Sequence, residues 1–486
     1  MNNFIHENYT LLCDFYELTM ANGYFKTGMA EQISYFDMYY RENPDKGGFA
    51  IMCGLEQVID YIENLHFSDD DISFLRSKGV FDEDFLEYLK SFRFTGDIWA
   101  IPEGVPIFPG EPMLTVRAKA TEAQFIETFI LLTINHQSLI ATKANRIVRA
   151  AEGRPVSEFG SRRAQGTHAA ILGARASYIG GCTGTACTIA EKRYGVPAVG
   201  TMAHSWVQMF DDEYTSFKTY CDIYPENTVL LVDTYNVLKS GVPNAIKAFK
   251  ESGITHGGIR IDSGDITYLS RRARQMLDEA GLENIKISAS NSLDEYIIRD
   301  ILQQGAKIDF FGVGERLVTS KSDPVFGGVY KLVAIEDSNG TVIPKIKVSE
   351  NTTKITNPGF KKLLRIYEKE NGKAIADLIC LHDEVIDETK PLTIFDPEHT
   401  WKTKTLTNFR TEELQKPIFI GGKCVYDRPS TNQIRDFCQE QIELQWDEVK
   451  RFEYPHNYYV DLSQKLWDLK HELLREASSR AASSHH

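Results

Sequence analysis

The sequence predicts an α/β protein whose middle third is a parallel sheet closed into a barrel, and three observations carry that prediction. First, seven short apolar segments run into polar or glycine-rich turns: PVSEFG near Glu158, YIGGC near Cys182, AVGTMAH near His204, VLLVDT near Asp233, GIRIDSG near Asp262, IKISASN near Ser290 and IDFFGVG near Gly314. Second, those landmarks recur about every 22 to 29 residues, close to one strand-plus-helix unit. Third, polar and charged side chains gather at the segment ends, which in a parallel barrel form the carboxyl rim where sites are built. An open doubly wound sheet has the same alternation. The chain shows no GxGxxG fingerprint and no Walker loop, which weakens the dinucleotide and P-loop readings.

The elements follow in order. Tyr9 to Tyr24 carries apolar residues at helical spacing, and Tyr35 to Tyr40 and Phe49 to Cys53 read as strands, with a Gly47-Gly48 turn before the second. Gly96 to Val116 is β-rich but broken by Pro102, Pro106, Pro109 and Pro112, which suits a small sheet with exposed edges. Thr121 to Arg149 reads as a long helix. Within the barrel region, Tyr268 to Ala280 and Leu293 to Gln304 are helical. Beyond it, strands are expected at Lys331 to Ile335 and Leu364 to Tyr367, strand-like signals continue to about Ile394, and helices follow at Ser430 to Gln445 and Asp461 to Arg475. Ala477 to His486, small and polar, reads as a frayed tail without function. The resulting domains are 1–140, completed by about 325–400; a barrel over 141–324 carrying the site; and a C-terminal helical extension over 401–486.

Composition narrows the function classes. A chain of 486 residues is long enough for two or three domains. With 42% hydrophobic and 25% charged residues it is globular rather than disordered. A net charge of −14 denies it the positive field that a nucleic-acid or anionic-membrane binder needs, though not a local basic pocket. No apolar run reaches the length of a bilayer span, and Met1 to Met20 shows no basic-then-apolar leader, so a soluble, cytoplasmic protein is expected. The eight cysteines form neither a CxxC pair nor a zinc-site spacing and read as reduced, mostly buried thiols.

The barrel rim gathers Arg162, Arg163, His204, Asp233, Arg260, Asp262, Asp265, Ser290, Asn291 and the loop Gly312 to Thr319. Guanidinium forks grip carboxylate or phosphate through paired hydrogen bonds. A glycine-rich loop after the last strand offers backbone N–H groups to a phosphate. Acidic residues beside phosphates suit a divalent metal or sugar hydroxyls. Together these types point to a phosphorylated sugar and a metal, with no residue set singled out as metal ligands. The plain alternative for Asp262 and Asp265 is turn chemistry, since Ser263-Gly264 lies between them; for Tyr16 and Phe159 it is core packing, and for Arg162 and Arg163 surface ion pairing.

The ordered set DFYELTMANGYF (14–25), EFGSRRAQG (158–166), GTMAHSW (200–206), LVDTY (231–235), IRIDSGD (259–265), SNSLDE (290–295) and GGVYKLVA (327–334) resembles the nicotinate phosphoribosyltransferase family. The resemblance implies an irregular TIM-like α/β barrel with a second α/β domain built from N- and C-terminal segments, and a homodimer with shared active sites. It implies synthesis of nicotinate mononucleotide and pyrophosphate from nicotinate and phosphoribosyl pyrophosphate (PRPP). ATP hydrolysis is coupled through a phosphohistidine, Mg2+ accompanies the pyrophosphate, and the setting is NAD biosynthesis by salvage. By that resemblance His204 accepts the phosphoryl group, and Asp262 and Asp233 contact ribose hydroxyls or the nearby phosphate and metal. Arg260 serves the base and phosphate end, and Arg162 the ring and its phosphoribosyl group. Tyr16, from the neighbouring subunit, and Phe159 sandwich the pyridine. Thr201, Ser290, Asn291, Gly312, Gly314 and Glu315 complete the substrate contacts, and Arg41, Lys331 and Lys347 surround the pyrophosphate. His168 is expected to be structural.

Four alternative functions are weighed by the same residues. Nicotinamide phosphoribosyltransferases place an aspartate just after the turn where this chain has Cys182, and a carboxylate there would repel nicotinate. Quinolinate phosphoribosyltransferases are shorter and have a richer basic pocket. A catalytically silent nucleotide-binding regulator would not need His204. An aldolase-type barrel needs a lysine at a strand end, and none of the seven ends supplies one. One departure from the family is Glu315, where several members have threonine beside a phosphate; an acid there needs a metal or a partner such as Arg316.

Overall fold

The structure is a computed structural model that describes residues 8–349 and 354–483. It forms two compact units. One comprises the chain up to Ser138, Val325–Pro429 and the part from Phe437 onward; the other comprises Leu139–Pro324 with Ser430–Asp436. The boundary near residue 138 falls inside the 24-residue helix Glu127–Ala150.

The first unit is built on mostly antiparallel strands, with Ala374–Leu381 and Tyr459–Leu462 paired in parallel. Its larger sheet runs Val342–Pro344, Gly328–Glu336, Ile33–Tyr40, Leu114–Lys119, Asp97–Ala100, Lys416–Ile420 and Lys423–Cys424. Ile33–Tyr40 lies in its interior, and six of its eight residues are buried. The second sheet orders Phe409–Glu413, Lys361–Glu368, Ala374–Leu381 and Tyr459–Leu462. Its centre holds a fully buried ion pair: Arg365 Nη2 and Asp377 Oδ2 are 2.6 Å apart, and the Tyr458 hydroxyl donates to Asp377 Oδ1 at 2.9 Å.

The segment expected to be a helical extension over 401–486 is different. It carries strands Thr403–Leu406, Phe409–Glu413, Lys416–Ile420 and Lys423–Cys424 before its helices Thr431–Glu443 and Gln464–Ser483. Two of those strands pair with segments far away in sequence, Lys416–Ile420 with Asp97–Ala100 and Phe409–Glu413 with Lys361–Glu368, which local periodicity does not reveal. The tail also departs from expectation, because the last helix continues to Ser483 through the small residues after Ala477; His485-His486 lie outside the described residues. The first helix starts only at Phe15 rather than Tyr9, and Phe49 to Cys53 contributes just the two-residue strand Ala50–Ile51.

The second unit contains an all-parallel six-stranded sheet in the order Gly184–Thr185, Val156–Glu158, Phe310–Val313, Lys286–Ala289, Gly258–Ile261, Val229–Leu231. Each strand except Gly184–Thr185 lies beside the next in sequence, and the last pairs with the first. That is barrel order, and it excludes the reversal of strand order that defines a doubly wound sheet. The ring has one open seam. After Thr185 the chain adds a single parallel bridge at Ala198, and among the described residues no ladder joins this point to Val229–Leu231. Two of the seven expected strand segments therefore shrink: YIGGC is the end of helix Thr167–Ile179 plus a loop, and AVGTMAH contributes only the bridge at Ala198. One face of the remaining strands is fully inaccessible at Ile259, Ile261, Ile287, Ala289, Phe311 and Val313, while the other is only partly covered, with Arg260 and Phe310 half-buried. Gly241 is needed where the turn Val237–Gly241 meets the sheet, because a Cβ there would lie 1.8 Å from the Val232 carbonyl oxygen.

Candidate active site

The carboxyl ends of the barrel strands carry the predicted residues, and hydrogen bonds join several of them across consecutive loops. Arg260, in Gly258–Ile261, donates from Nη1 to Thr201 Oγ1 at 2.5 Å and from Nη2 to the Met202 carbonyl at 3.1 Å. Burial lowers its proton affinity, Asp262 and Asp233 oppose that effect, and the like charge of Arg162 adds to it. Two guanidinium groups close enough to repel each other mark a place where a multiply charged anion is stabilised. Arg260 Nε is buried without a partner, an unmet donor at the same place.

Asp233 and Asp262 are linked directly. The Asp262 amide donates to Asp233 Oδ2 at 3.1 Å, and the Ser263 hydroxyl donates to the same oxygen at 2.6 Å. Asp233 Oδ1 is buried and has no hydrogen-bond partner. Ser290 donates its hydroxyl to Asp262 Oδ1. Asp265 does turn chemistry, capping helix Ile266–Glu279 by accepting from the Tyr268 amide at 2.8 Å.

His204 begins the short helix His204–Gln208 on the segment that crosses the open seam. Its Nδ1 lies 3.1 Å from Thr234 Oγ1 and its Nε2 lies 3.9 Å from Asp262 Oδ2. With the ring half-exposed and Nδ1 engaged, Nε2 is the nitrogen left for a reacting group. The Tyr220 hydroxyl donates to the Thr201 carbonyl at 3.2 Å and holds the segment from below.

The first and last strands form a second cluster. Phe159 follows Val156–Glu158, and its amide donates to the Val313 carbonyl at 2.7 Å. Its ring lies over Gly312, where a Cβ would meet the ring carbons Cδ2 and Cε2 at 2.5 Å. Gly314 precedes the one-turn helix Glu315–Val318. Glu315 pairs with Lys321 at 2.8 Å rather than with Arg316, which is bound to Asp294 instead. The Lys321 ammonium, with Arg163 and Arg316 farther off, holds the Glu315 carboxyl below its ordinary range. The expected pairing thus fails because Asp294 captures Arg316 while it caps helix Glu295–Gln303. Arg162 and Arg163 lie exposed in the turn Ser161–Arg163. Asn291 is exposed, with φ of 87°, and Ser292 follows at 47°; two consecutive non-glycine residues in the left-handed region are the kind of strain that sites retain. His168 is exposed in helix Thr167–Ile179, and Cys182 is fully buried.

The remaining predicted residues belong to the first unit. Arg41 follows strand Ile33–Tyr40, Lys331 lies opposite Asp37 in Gly328–Glu336, and Lys347 is exposed beyond Val342–Pro344. They form a cationic group: burial lowers the proton affinity of Lys331, and the charges of Lys347 and Arg41 lower it further against the pull of Glu127. Tyr16 is 43% exposed, and its hydroxyl donates to Glu127 Oε2 at 2.9 Å. Beside it Glu17 is inaccessible and its carboxyl is pushed up to about 8 by burial, although Thr128 donates to it twice.

Sequence reasoning missed Thr234, Ser263, Tyr220, Thr185 and Glu158. A usable signal existed for two of them, since a hydroxyl residue directly follows each rim aspartate, at Asp233-Thr234 and Asp262-Ser263. Among the described residues no cluster of three or more His, Cys, Asp or Glu side chains is arranged to hold a metal by itself. None of the helices searched is long and apolar enough to cross a membrane.

Three family models cover the chain: the nicotinate phosphoribosyltransferase N-terminal domain matches residues 11–135, the nicotinate phosphoribosyltransferase family model residues 155–366, and the C-terminal domain residues 360–470. A nicotinate phosphoribosyltransferase of Bacillus subtilis (strain 168) is 43% identical over 479 residues, covering 98% of this chain and 97% of the relative. One from Caenorhabditis elegans is 33% identical over 531 residues, covering 95% and 93%. The crystal structure of human nicotinic acid phosphoribosyltransferase superposes with a TM-score of 0.83 at 27% identity, over 95% of this chain and all of that one. The barrel order, the linked rim residues and these full-length matches lead to one conclusion: the chain belongs to the nicotinate phosphoribosyltransferase family.

Proposed function

We propose that this protein joins nicotinate to PRPP, giving nicotinate mononucleotide and pyrophosphate as a salvage step of NAD biosynthesis, and that it works as an ATP-dependent ligase through a phosphohistidine at His204. The observation that supports this most is the pair of hydrogen-bonded sets at the rim, Arg260 with Thr201 and Asp262 with Asp233 and Ser290, with His204 beside Asp262.

Displacement at the anomeric carbon builds positive charge on the ribose while negative charge accumulates on the leaving pyrophosphate. Asp262 and Asp233 suit the ribose side: carboxylates accept hydrogen bonds from its hydroxyls and favour the developing cation. Arg260 and Arg162 suit the anionic side. The unpartnered Asp233 Oδ1 would help to hold Mg2+, which would supply positive charge to the leaving group. The cationic group of Arg41, Lys331 and Lys347 suits pyrophosphate as well. Phe159 offers a flat face to the pyridine. Tyr16 offers a second from a partner copy, which makes the active species a homodimer, and stacking of this kind is worth about 0.5–1.5 kcal/mol per pair.

For the coupling step, His204 Nε2 attacks the γ-phosphorus of ATP, the bond to the bridging oxygen breaks, and ADP leaves. The Thr234 hydroxyl at Nδ1 fixes the ring orientation. For the choice of base, Cys182 presents a buried thiol where a carboxylate would repel nicotinate.

The test offers nicotinate, nicotinamide and quinolinate in parallel, with and without ATP. Nicotinate alone is expected to turn over well, with stimulation by ATP; equal or better use of nicotinamide overturns the base assignment. His204→Ala is expected to lose ATP stimulation and acid-labile phosphate incorporation while keeping slow basal turnover. Full ATP coupling in that variant removes the phosphohistidine.

A further inference from the structure

Glu158 ends the first barrel strand and is completely buried, yet none of the roles above uses its side chain. One carboxylate oxygen accepts the Gly160 amide, and the other accepts the Thr185 hydroxyl at 2.6 Å. Thr185 Oγ1 in turn accepts the Cys187 amide at 3.0 Å. The carboxylate therefore ties together two rim turns. One carries Phe159 and Ser161–Arg163; the other leads from the second strand into helix Thr188–Tyr194. The first of these turns has few other main-chain anchors, chiefly the Phe159 amide on Val313 and the Arg163 amide on Gly160. Ser161 Oγ within it is buried and unpartnered. Burying a carboxyl in such a place is costly unless donors meet it, and burial does raise the proton affinity of Glu158 against the two bonds it accepts.

We propose that Glu158 is a positioning residue: by latching the Gly160 turn to Thr185, its carboxylate sets where Phe159 and Arg162 stand and so determines how tightly the flat anionic ring is held. This rests on the reading of Phe159 and Arg162 as contacts of the pyridine acid and its phosphoribosyl group. The carboxylate has an acceptor for each donor. A glutamine keeps one acceptor oxygen and turns a donor toward the other partner, and valine at 185 removes the hydroxyl at nearly constant shape.

The experiment compares Glu158→Gln and Thr185→Val with the parent protein. It measures KM for nicotinate, PRPP and ATP separately, kcat, and the thermal midpoint. Both variants are expected to raise KM for nicotinate about tenfold, the size of one buried hydrogen bond, while KM for PRPP and ATP stays within about twofold. An unchanged nicotinate KM in both variants overturns the proposal. So does a uniform loss for all three substrates together with a lowered thermal midpoint, the mark of a merely structural group. Should Glu158→Gln fail to fold, Thr185→Val alone decides. If the parent protein does not turn over nicotinate, the substrate reading fails first; turnover by the parent with no shift in the variants removes only the role of Glu158.

Discussion

Gly312→Ala is the sharpest single perturbation of the proposed pyridine site. The added Cβ would lie 2.5 Å from two carbons of the Phe159 ring. Ordinary carbon contacts need about 3.5–4.0 Å, so the ring must retreat by about 1 to 1.5 Å. Gly312 is not among the residues with positive φ, and alanine therefore brings no backbone strain. The effect is purely steric. Overpacking of this size costs about 1–3 kcal/mol if the ring stays in place. Phe159 is only partly buried, so it relieves the clash by swinging outward and forfeits its stacking instead. Kinetically, loss of about 0.5–1.5 kcal/mol of stacking is expected to lower kcat/KM for nicotinate about 2- to 10-fold, at 1.4 kcal/mol per tenfold, with little change in thermal midpoint. The assay is a double-mutant cycle with Phe159→Ala. Once the ring is gone, alanine at 312 has nothing to displace, and the two losses should overlap by about 0.5 kcal/mol or more. Additive losses, or an unaltered kcat/KM in Gly312→Ala, refute the reasoning.

Two further predictions concern the first unit. Asp377→Ala strips the counterion from the fully buried Arg365 and is expected to cost about 3–5 kcal/mol, read from the denaturation midpoint; a loss below about 1 kcal/mol would mean that buried Glu111 takes over the pairing. Glu17 has a folded-state value raised from 4.5 to about 8, so its protonated form contributes stability that is fully present below 4.5 and lost as pH rises through about 8. Glu17→Gln is accordingly expected to flatten the decline of thermal midpoint across that window, and parallel curves for the two proteins would refute the assignment.

The residues that the sequence made legible are those whose roles are local. A parallel barrel strand reads as a short apolar run, and the polar residue that ends it is visible at once, as at Asp233, Asp262 and Ser290. The strand-and-helix alternation follows from the repeat length, whereas only the strand pairing separates a barrel from a doubly wound sheet. What stayed hidden depends on distant partners. Lys416–Ile420 is a strand because Asp97–Ala100 lies beside it, more than 300 residues away in sequence. Glu315 pairs with Lys321 because Asp294 holds Arg316, a competition that no motif encodes. The Ala198 segment has too little ladder to be a strand, although its sequence reads like its neighbours. Glu158 was read as part of a motif, and only its burial and its two donors mark it as an anchor.

The open seam has a mechanical consequence. The stretch from Val199 to Thr228, which carries Thr201 and His204, is absent from the interstrand ladder. Near His204 it is held by Arg260 on Thr201 and Met202 and by the contact of His204 with Thr234, while Tyr220, within the stretch, bonds back to the Thr201 carbonyl. Such bonds contribute about 1 kcal/mol each, somewhat more for those to a charged guanidinium. On the proposed phosphohistidine reading, a charge added to the imidazole would fall on a stretch anchored near His204 by side-chain bonds, beside six strands that are joined by a backbone ladder.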